Sequence, residues 1–446
     1  MSIKERKLVG YNNFIRSNPN SDKFEMIKFH SIEYYCSDSL NFSSRFSFGL
    51  GLKKVAISDL STGNNLYSSV VLKSNDVTFV FTAPYHMNHE VEKNNEIKSI
   101  PHPNYSQEFA FEFIKNHGLA VRAVGILVKD AKIAHDISVS NGAISVLPPT
   151  ELYDEKKSSV MLISEIRLYG DTVIRWISGN SNCNFLPNYK ELSTSEVNLS
   201  LGLLRVDHIV GNVPKLFDAV DYLMNAIGFH EFSEFTAEDI GTIDSGLNSM
   251  VLASNNEMIL LPVNEPTFGT RRKSQIQTYL EYNNGPGVQH IAIKTENILI
   301  TIAEMRKRSS YGGFEFMPSP SPDYYNKIKE RLELDKYMES DHISELQEML
   351  KALGILIDRD DQGILLQLFT KPLGDRPTIF IEIIQRIGCD GVVTLFDELK
   401  KFVTMGHSNT CSTCDSLDTQ TAGCGGFGKG NFSELFKSIE VEFEKL

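Results

Sequence analysis

The sequence predicts an α+β fold of two open β-barrel domains, each built from a pair of βαβββ modules. The first reason is length, because 446 residues are too many for one compact core. The second is an internal repeat. The stretches that begin FEMIKFHSIEYY at Phe24 and LLRVDHIVGNVP at Leu203 each predict a strand with a central histidine, a helix that ends at glycine, and a hairpin. One such module leaves a sheet face half buried, so modules should pair.

A second pair of similar segments completes each half of the chain. AVRAVGILVKDAKIAHDISV matches GVQHIAIKTENILITIAEMR, and the strand VIRWIS corresponds to the strand IFIEIIQR. The chain therefore divides into an N-terminal arm at residues 1–23, a first barrel domain at 24–190 and a second at 200–446. The polar segment 179–200 is expected to link the two domains.

Composition narrows the classes of partner. Hydrophobic residues make up 41% and charged residues 23% of the chain, which is typical of a soluble globular protein. The net charge of −13 and the lack of a Lys/Arg-rich block argue against nucleic acid or an anionic membrane as a partner. No apolar run is long enough to span a bilayer, and the first residues resemble neither a secretory signal nor a transit peptide. A cytoplasmic location is the expectation.

Three polar residues stand inside short apolar runs that predict buried strands: His208, His290 and Glu382. Burying such groups is costly unless something satisfies them. Two imidazoles and one carboxylate are the ligand set of a mononuclear non-haem Fe(II) centre, which keeps positions open for substrate and oxygen. The alternative is that each is a hydrogen-bonded core residue. The matched context of all three favours a metal.

The repeat assigns this chemistry to the second half. Where the second half has His290, the first has Ala123, and its VIRWIS strand carries no carboxylate. Only His30 echoes His208. One histidine cannot hold iron, so the first half is predicted to be structural and free of metal.

The cysteines leave two readings open. Cys411 and Cys414, with His407 before them and Cys424 after, could bind zinc or cycle redox. The simpler reading is a polar loop whose cysteines stay reduced, because no second CxxC pair completes a zinc site.

Several motifs closely resemble 4-hydroxyphenylpyruvate dioxygenases, and the plant-type branch in particular: VGNVP, GLNSMVLASNNEM, RKSQIQTYLEYN, LFTKPLGDRPTIFIEIIQR and GGFGKGNFSELFKSIE. The resemblance spans roughly residues 7–440. It implies a vicinal-oxygen-chelate (glyoxalase-like) fold whose C-terminal barrel binds Fe(II). It also implies conversion of 4-hydroxyphenylpyruvate and O2 to homogentisate and CO2 in tyrosine catabolism, which in plants supplies prenylquinone and tocopherol precursors.

The resemblance further implies a homodimer formed through the first half. Two other functions stay open. One is a hydroxymandelate synthase-type oxygenase, in which the same chemistry is directed at the benzylic carbon. The other is a non-catalytic paralogue that binds an aromatic acid, since folds are reused without their chemistry.

The family's iron ligands match His208, His290 and Glu382, and its pocket residues match a further set. That set comprises the polar Ser249, Asn264, Gln275, Gln289 and Gln367, the aromatic Phe369, Phe380 and Phe427, and the apolar Val210, Pro262 and Leu353. Strand alternation supports Gln367 with Phe369, and Phe380 with Glu382. Gln289 adjoins His290 and should face away, so its role requires a bulge or twist.

The C-terminal end resembles the family's lid. Glycines crowd residues 423–430, and an Asn-x-x-Glu pattern then opens a predicted helix at 431–445. The alternative is an ordinary terminal helix; the family favours a lid that excludes water, with Phe427, Gly428, Asn431, Phe432 and Leu435 on its gating side. Two segments, 332–353 and 390–422, are longer than the family pattern, and their role is left open.

Overall fold

The structure is a computed structural model that describes residues 6–85, 100–153, 160–180, 185–193, 200–240, 246–269, 271–336, 339–388, 423–432, 434–435 and 438–439. Cys411, Cys414 and segment 390–422 lie outside the described residues. So does most of the predicted lid helix, of which Phe432, Glu434, Leu435, Ser438 and Ile439 are described and helical. None of the described helices has the length and apolarity that a bilayer crossing requires.

The first half folds into a nine-stranded sheet. Its elements, in chain order, are β1 (Met26–Tyr35), α1 (Ser39–Leu50), β2 (Lys53–Ser58), β3 (Tyr67–Ser74), β4 (Val77–Pro84), α2 (Gln107–His117), β5 (Ala120–Val128), α3 (Ala131–Ser140), β6 (Ser145–Tyr153), β7 (Val160–Tyr169), β8 (Thr172–Asn180) and β9 (Lys190–Glu191). The sheet order is β6-β7-β8-β5-β1-β4-β3-β2-β9. The segment predicted as a linker therefore contributes the edge strand β9.

The second half repeats this arrangement in an eight-stranded sheet. Its elements are β10 (Leu203–Asn212), α4 (Leu216–Ile227), β11 (His230–Phe235), α5 (Ala237–Ile240), β12 (Leu247–Ala253), β13 (Leu260–Pro266), α6 (Gln275–Tyr282), β14 (Gly287–Thr295), α7 (Ile298–Ser309), α8 (Pro322–Asn326), α9 (Ile328–Arg331), α10 (Ser340–Leu353), β15 (Leu356–Arg359), β16 (Ile364–Phe369) and β17 (Phe380–Ile387). The sheet order is β11-β12-β13-β10-β14-β17-β16-β15. Short 3₁₀ turns cover Leu60–Thr62, Leu334–Lys336 and Lys429–Asn431.

The predicted α+β fold of paired βαβββ modules is confirmed. In each half the two modules join through one antiparallel pair, β1 with β5 and β10 with β14. The helices cover these sheets with apolar faces; in α4 the buried residues are Leu216, Val220, Leu223, Ala226 and Ile227, at the three- and four-residue steps of a helix face. One apolar core runs through both halves.

Strand register fixes the interior of the second sheet. His208 on β10 pairs with Ala292 on β14, and Ala292 pairs with Glu382 on β17. A register shift between Val206 and His208 leaves Asp207 as the extra residue of a bulge. The bulge lets the neighbouring side chains of Asp207 and His208 both be buried.

The matching ladder of the first sheet corrects one sequence-based expectation. There Ser31 pairs with Gly125, and Gly125 pairs with Arg175. The bulge recurs, with His30 as its extra residue. Ser31, and not His30, therefore takes the place of His208, because the bulge shifts the register by one residue. Arg175 takes the place of Glu382.

An ion-pair network fills the interior of the first sheet where the second sheet has its two histidines and glutamate. The Arg175 guanidinium lies 2.7 Å from Glu33 and 2.7 Å from Glu165, and all three side chains are buried. His102 contacts Glu165 at 3.1 Å, and Arg122 lies 4.0 Å from it. Burial alone would raise the pKa of Glu165, but Arg175 and its other partners hold that pKa below its usual range. The two arginines thus offset the charge of the two glutamates.

We predict that Arg175→Met lowers stability without affecting the second half. Removing the arginine leaves the buried Glu33 without its ion-pair partner and Glu165 with only His102 and Arg122, which costs about 3–5 kcal/mol. Thermal unfolding should show a clearly lower midpoint, with unchanged metal binding. The matched control is Lys132→Met, since Lys132 pairs with Asp136 on an exposed helix face and such pairs contribute under about 1 kcal/mol. Equal unfolding midpoints for the two variants would contradict a stabilising role for the buried ion pairs of Arg175.

The N-terminal arm lies on the second half of the molecule. The amide of Gly10 donates to Glu234 at 2.6 Å, and that of Tyr11 donates to Asp239 at 2.9 Å. The Tyr11 ring stacks on Phe235 at 5.3 Å between ring centroids. The described part of the predicted arm thus covers the strand β11 rather than the first sheet.

Candidate metal centre and its cavity

Three adjacent strands bring the predicted ligands together. The Nε2 atoms of His208 and His290 lie 3.2 Å and 3.3 Å from the same carboxylate oxygen of Glu382. One donor atom from each residue can be chosen so that all lie within 4.8 Å of one another. β14 stands between β10 and β17, so each of these strands supplies one donor toward the same point.

This donor set fits a metal ion. Two donor atoms bound at about 2.1 Å and at right angles to one ion lie about 3 Å apart, close to the distances seen here. Two imidazoles and one carboxylate on one side of an ion form the facial set of non-haem Fe(II) oxygenases, which leaves the other side open. The side chains of His208 and Glu382 are each only 4% exposed, so the centre is shielded from bulk water.

The protonation states of two of the three ligands favour metal binding. Burial alone would raise the pKa of Glu382, but the two imidazoles lower it to about 2, so the carboxylate stays ionised. Burial lowers the pKa of His290, which keeps its imidazole neutral. Burial would also lower the pKa of His208, but hydrogen bonds to Asp207 and Glu382 raise it overall.

Each imidazole is held from behind by a hydrogen bond. The Nδ1 of His208 lies 2.9 Å from a carboxylate oxygen of Asp207, and the Nδ1 of His290 lies 3.0 Å from the side-chain oxygen of Gln289. Because these oxygens accept, each Nδ1 carries the proton and each Nε2 offers its lone pair to the centre.

Gln289 reaches the site because β14 contains a bulge. Val210 pairs with His290, but the next residue, Gly211, pairs with Val288, so Gln289 is an extra residue. The predicted need for a bulge is confirmed. Gln289 and His290 therefore point into the same cavity despite being neighbours.

A largely apolar cavity opens onto the three ligands. Phe380 stacks on the His290 ring at 4.9 Å, and Phe369 meets it edge-on at 6.1 Å. Phe427 covers His208 edge-on at 5.3 Å. The predicted residues that line this cavity are Val210, Ser249, Pro262, Asn264, Gln275, Gln289, Phe369, Phe380, Phe427, Phe432 and Leu435.

Comparisons with known proteins agree with this geometry. Residues 205–366 match the Glyoxalase/Bleomycin resistance protein/Dioxygenase superfamily. A 4-hydroxyphenylpyruvate dioxygenase from Plectranthus scutellarioides is 53% identical, over 99% of this chain and 94% of that protein. One from Arabidopsis thaliana is 51% identical, over 98% of this chain and 93% of that protein. The chain belongs to the 4-hydroxyphenylpyruvate dioxygenase family.

A solved structure supports the fold of this dioxygenase family member. A 4-hydroxymandelate synthase variant from Streptomyces coelicolor superposes with a TM-score of 0.68, over 95% of this chain and all of that one. Its sequence identity is only 19%, so this likeness concerns the fold alone.

Three residues predicted from the family resemblance do not line the cavity. Leu353 is the last residue of α10, its carbonyl accepts hydrogen bonds from Arg306, and its side chain is not part of the cavity lining. Asn431 is buried behind the lining, where its side-chain oxygen accepts from the Tyr324 hydroxyl at 2.7 Å. Gly428 also lies behind the lining, against Gln367.

Gln367 is the fourth predicted residue outside the lining. Its side chain is 1% exposed, and neither its amide nitrogen nor its oxygen has a partner within the described part of the chain. A Cβ added at Gly428 would stand 2.4 Å from the Gln367 oxygen, so the loop lies directly on this amide. An unpaired buried amide is costly, so the position of Gly428 against Gln367 is one that a small change in the loop would alter.

Four lining residues were not predicted as pocket residues: Phe235, Leu247, Val251 and Ile439. Alternation along β12 could have identified two of them, because Leu247 and Val251 flank Ser249 at two-residue steps. Ile439 follows Leu435 by one helical turn.

We predict that Gly428→Ala impairs turnover but leaves metal binding intact. The added Cβ would clash with Gln367, and the φ of +76° already disfavours alanine. Misplacing the loop that carries Phe427 should lower kcat/KM by about tenfold to a hundredfold. The control is Gly269→Ala, which has the same strain at φ +80° and no atom within 4 Å of the added Cβ. Equal losses of kcat/KM in the two variants would show that backbone strain, and not contact with Gln367, causes the defect.

Proposed function

We propose that this chain is an Fe(II)-dependent dioxygenase that converts 4-hydroxyphenylpyruvate and O2 to homogentisate and CO2. The buried set of His208, His290 and Glu382, open toward an aromatic-walled cavity, is the observation that carries the proposal. Relatives that bear this activity in their names match the whole chain at 53% and 51% identity. Fe(II) is proposed because this ligand set is typical of oxygenases that use it.

The charge of the cavity suits a 2-oxo acid. Within the described residues its lining includes no Lys or Arg, and Glu382 is the acid that faces it. A divalent ion on this triad leaves a net positive centre, and among the described lining residues no other positive charge faces a carboxylate substrate. Bound Fe(II) would supply oxygen activation for the oxidative decarboxylation.

The chain's own residues position the substrate. Phe369 and Phe380 form walls beside His290 against which an aromatic ring can pack. Ser249 and Asn264 are directly paired on β12 and β13, so their polar groups stand side by side in the otherwise apolar lining. These groups and Gln275 can hydrogen-bond the polar end of the substrate, and the largely apolar lining disfavours water beside the substrate.

The two alternatives differ from this proposal in the expected product. A hydroxymandelate synthase-type reaction would give hydroxymandelate, and its support here is a likeness of fold at 19% identity. A non-catalytic paralogue would give no product, but all three ligands are present and converge.

The test is anaerobic Fe(II) reconstitution followed by oxygen uptake with 4-hydroxyphenylpyruvate and chromatography of the product. We expect homogentisate and CO2 in equal amounts, with oxygen uptake lost in Glu382→Gln together with bound iron. Glu348→Gln, on the exposed face of α10, should match the wild type. Hydroxymandelate as the product, or bound iron without oxygen uptake, would contradict the proposal.

We also propose that residues 24–190 form a metal-free domain that mediates homodimerisation, that 200–446 form the catalytic domain, and that its terminal helix at 431–445 acts as a lid. Balanced charge at Arg175 supports the absence of a metal in the first domain. A cytoplasmic location remains a prediction from the sequence.

The outer edge of the first sheet supports the dimer proposal. β6 is an edge strand, and exposed apolar side chains occur on it (Val146), just before it (Ile144) and on α3, which packs against it (Ile133 and Val139). Such a patch favours a protein contact. Sedimentation should show a dimer that Ile133→Asp with Ile144→Asp converts to a monomer, whereas Leu60→Asp, at another exposed site, does not. A monomeric wild type would contradict this proposal.

A further inference from the structure

A buried arginine adjoins the metal centre without lining the cavity. Arg386 lies four residues after Glu382 on β17, and its side chain is only 1% exposed. Its guanidinium bonds both carboxylate oxygens of Asp207, at 2.7 Å from Nη2 and 3.1 Å from Nε. Asp207 in turn accepts the Nδ1 proton of His208. Arg386 therefore holds the group that orients a metal ligand.

The third nitrogen of the same guanidinium holds the glycine-rich loop. Its Nη1 donates to the carbonyl of Cys424 at 2.5 Å and to that of Gly426 at 2.8 Å. The next residue, Phe427, lies beneath the guanidinium at 5.8 Å and against His208 at 5.3 Å. The loop that places Phe427 over the centre is thus bonded to the group that fixes Asp207.

These two sets of bonds depend on one another. The planar fork of arginine can bond a carboxylate with two nitrogens and still direct a third toward other acceptors, which lysine cannot do. Opening of the loop would remove both carbonyl acceptors from Nη1 and leave a buried donor unpaired, which is costly. The guanidinium would then be less firmly held against Asp207.

We propose that Arg386 is a positioning residue that couples closure of the 423–428 loop over the metal centre to the orientation of His208 through Asp207. This inference rests on the proposed metal site. Coupling of this kind is reciprocal. Metal bound to His208 should therefore protect the loop, and a closed loop should slow the loss of the metal.

Arg205 provides a matched control. It also approaches Asp207, with Nη2 at 3.6 Å, but its described hydrogen bond goes to the carbonyl of Val206 and not to the loop. Arg205 and Arg386 thus bring similar charge to the same carboxylate. Only Arg386 joins it to the loop.

The experiment uses Co(II) on the full-length protein, with Arg386→Lys and Arg205→Lys as variants. Amide hydrogen exchange of the 423–432 peptide is followed with and without Co(II), and the rate of Co(II) loss to a chelator is measured. We expect Co(II) to slow loop exchange in the wild type and in Arg205→Lys. In Arg386→Lys this protection should disappear, and Co(II) should leave at least about tenfold faster.

Two outcomes would overturn the coupling. One is loop exchange in the wild type that is identical with and without Co(II), which decides the matter even if Arg386→Lys fails to fold. The other is faster loss of Co(II) from Arg386→Lys together with a loop that Co(II) still protects from exchange. Arg386 would then act on Asp207 alone. Failure of the wild type to bind Co(II) would overturn the metal centre as well. Hydrogen exchange of the loop and loss of Co(II) are both measured without turnover, so the test of the coupling does not depend on oxygen uptake.

Discussion

Burial of one carboxylate is the constraint on which the second half of the chain depends. Glu382 lies in the middle of an apolar sheet, where an unpaired charge would be far too costly. His290 on the adjacent strand β14 and His208 on the next strand, β10, compensate it, and a bound cation would do so more completely. The apolar residues around this group satisfy the packing of the sheet, and they also make the centre dry. The demands of folding and of metal binding therefore coincide at this point.

The first half meets the same constraint with a different solution. Its sheet has the same topology and the same bulge, but Arg175 takes the place of Glu382, and its positive charge is paired with Glu33 and Glu165. A guanidinium fixed by two carboxylates stands where the other half has a carboxylate fixed by two imidazoles. One fold thus accommodates either sign of charge, provided that neighbouring strands supply the opposite one. A positive central charge opposes binding of a cation, which supports the proposal that the first half holds no metal.

What could be predicted from the sequence follows from how each feature is encoded. The ligands His208, His290 and Glu382 were identifiable because a polar residue in an apolar run is unusual by itself, and the modules because they occur twice. Register was harder. One bulge assigns His30 to the place of Asp207, because an extra residue shifts every later side chain by one position. The covering of Gln367 by Gly428 depends on a contact between distant segments, and alternation along a single strand contains no information about it.

Residues 424–429 cover the metal centre, and contacts hold this segment on both of its faces. On the inner face, Arg386 bonds the loop and Phe427 packs on His208. On the outer face, the ammonium of Lys429 lies 4.2 Å from the centre of the Tyr11 ring and 3.4 Å from a carboxylate oxygen of Asp239. The Asp239 carboxylate also accepts a hydrogen bond from the Tyr11 amide. The start of the chain therefore holds the same segment that closes the cavity near its end. Displacement of residues 424–429 as one segment would therefore break the contacts of the arm as well as those of Arg386.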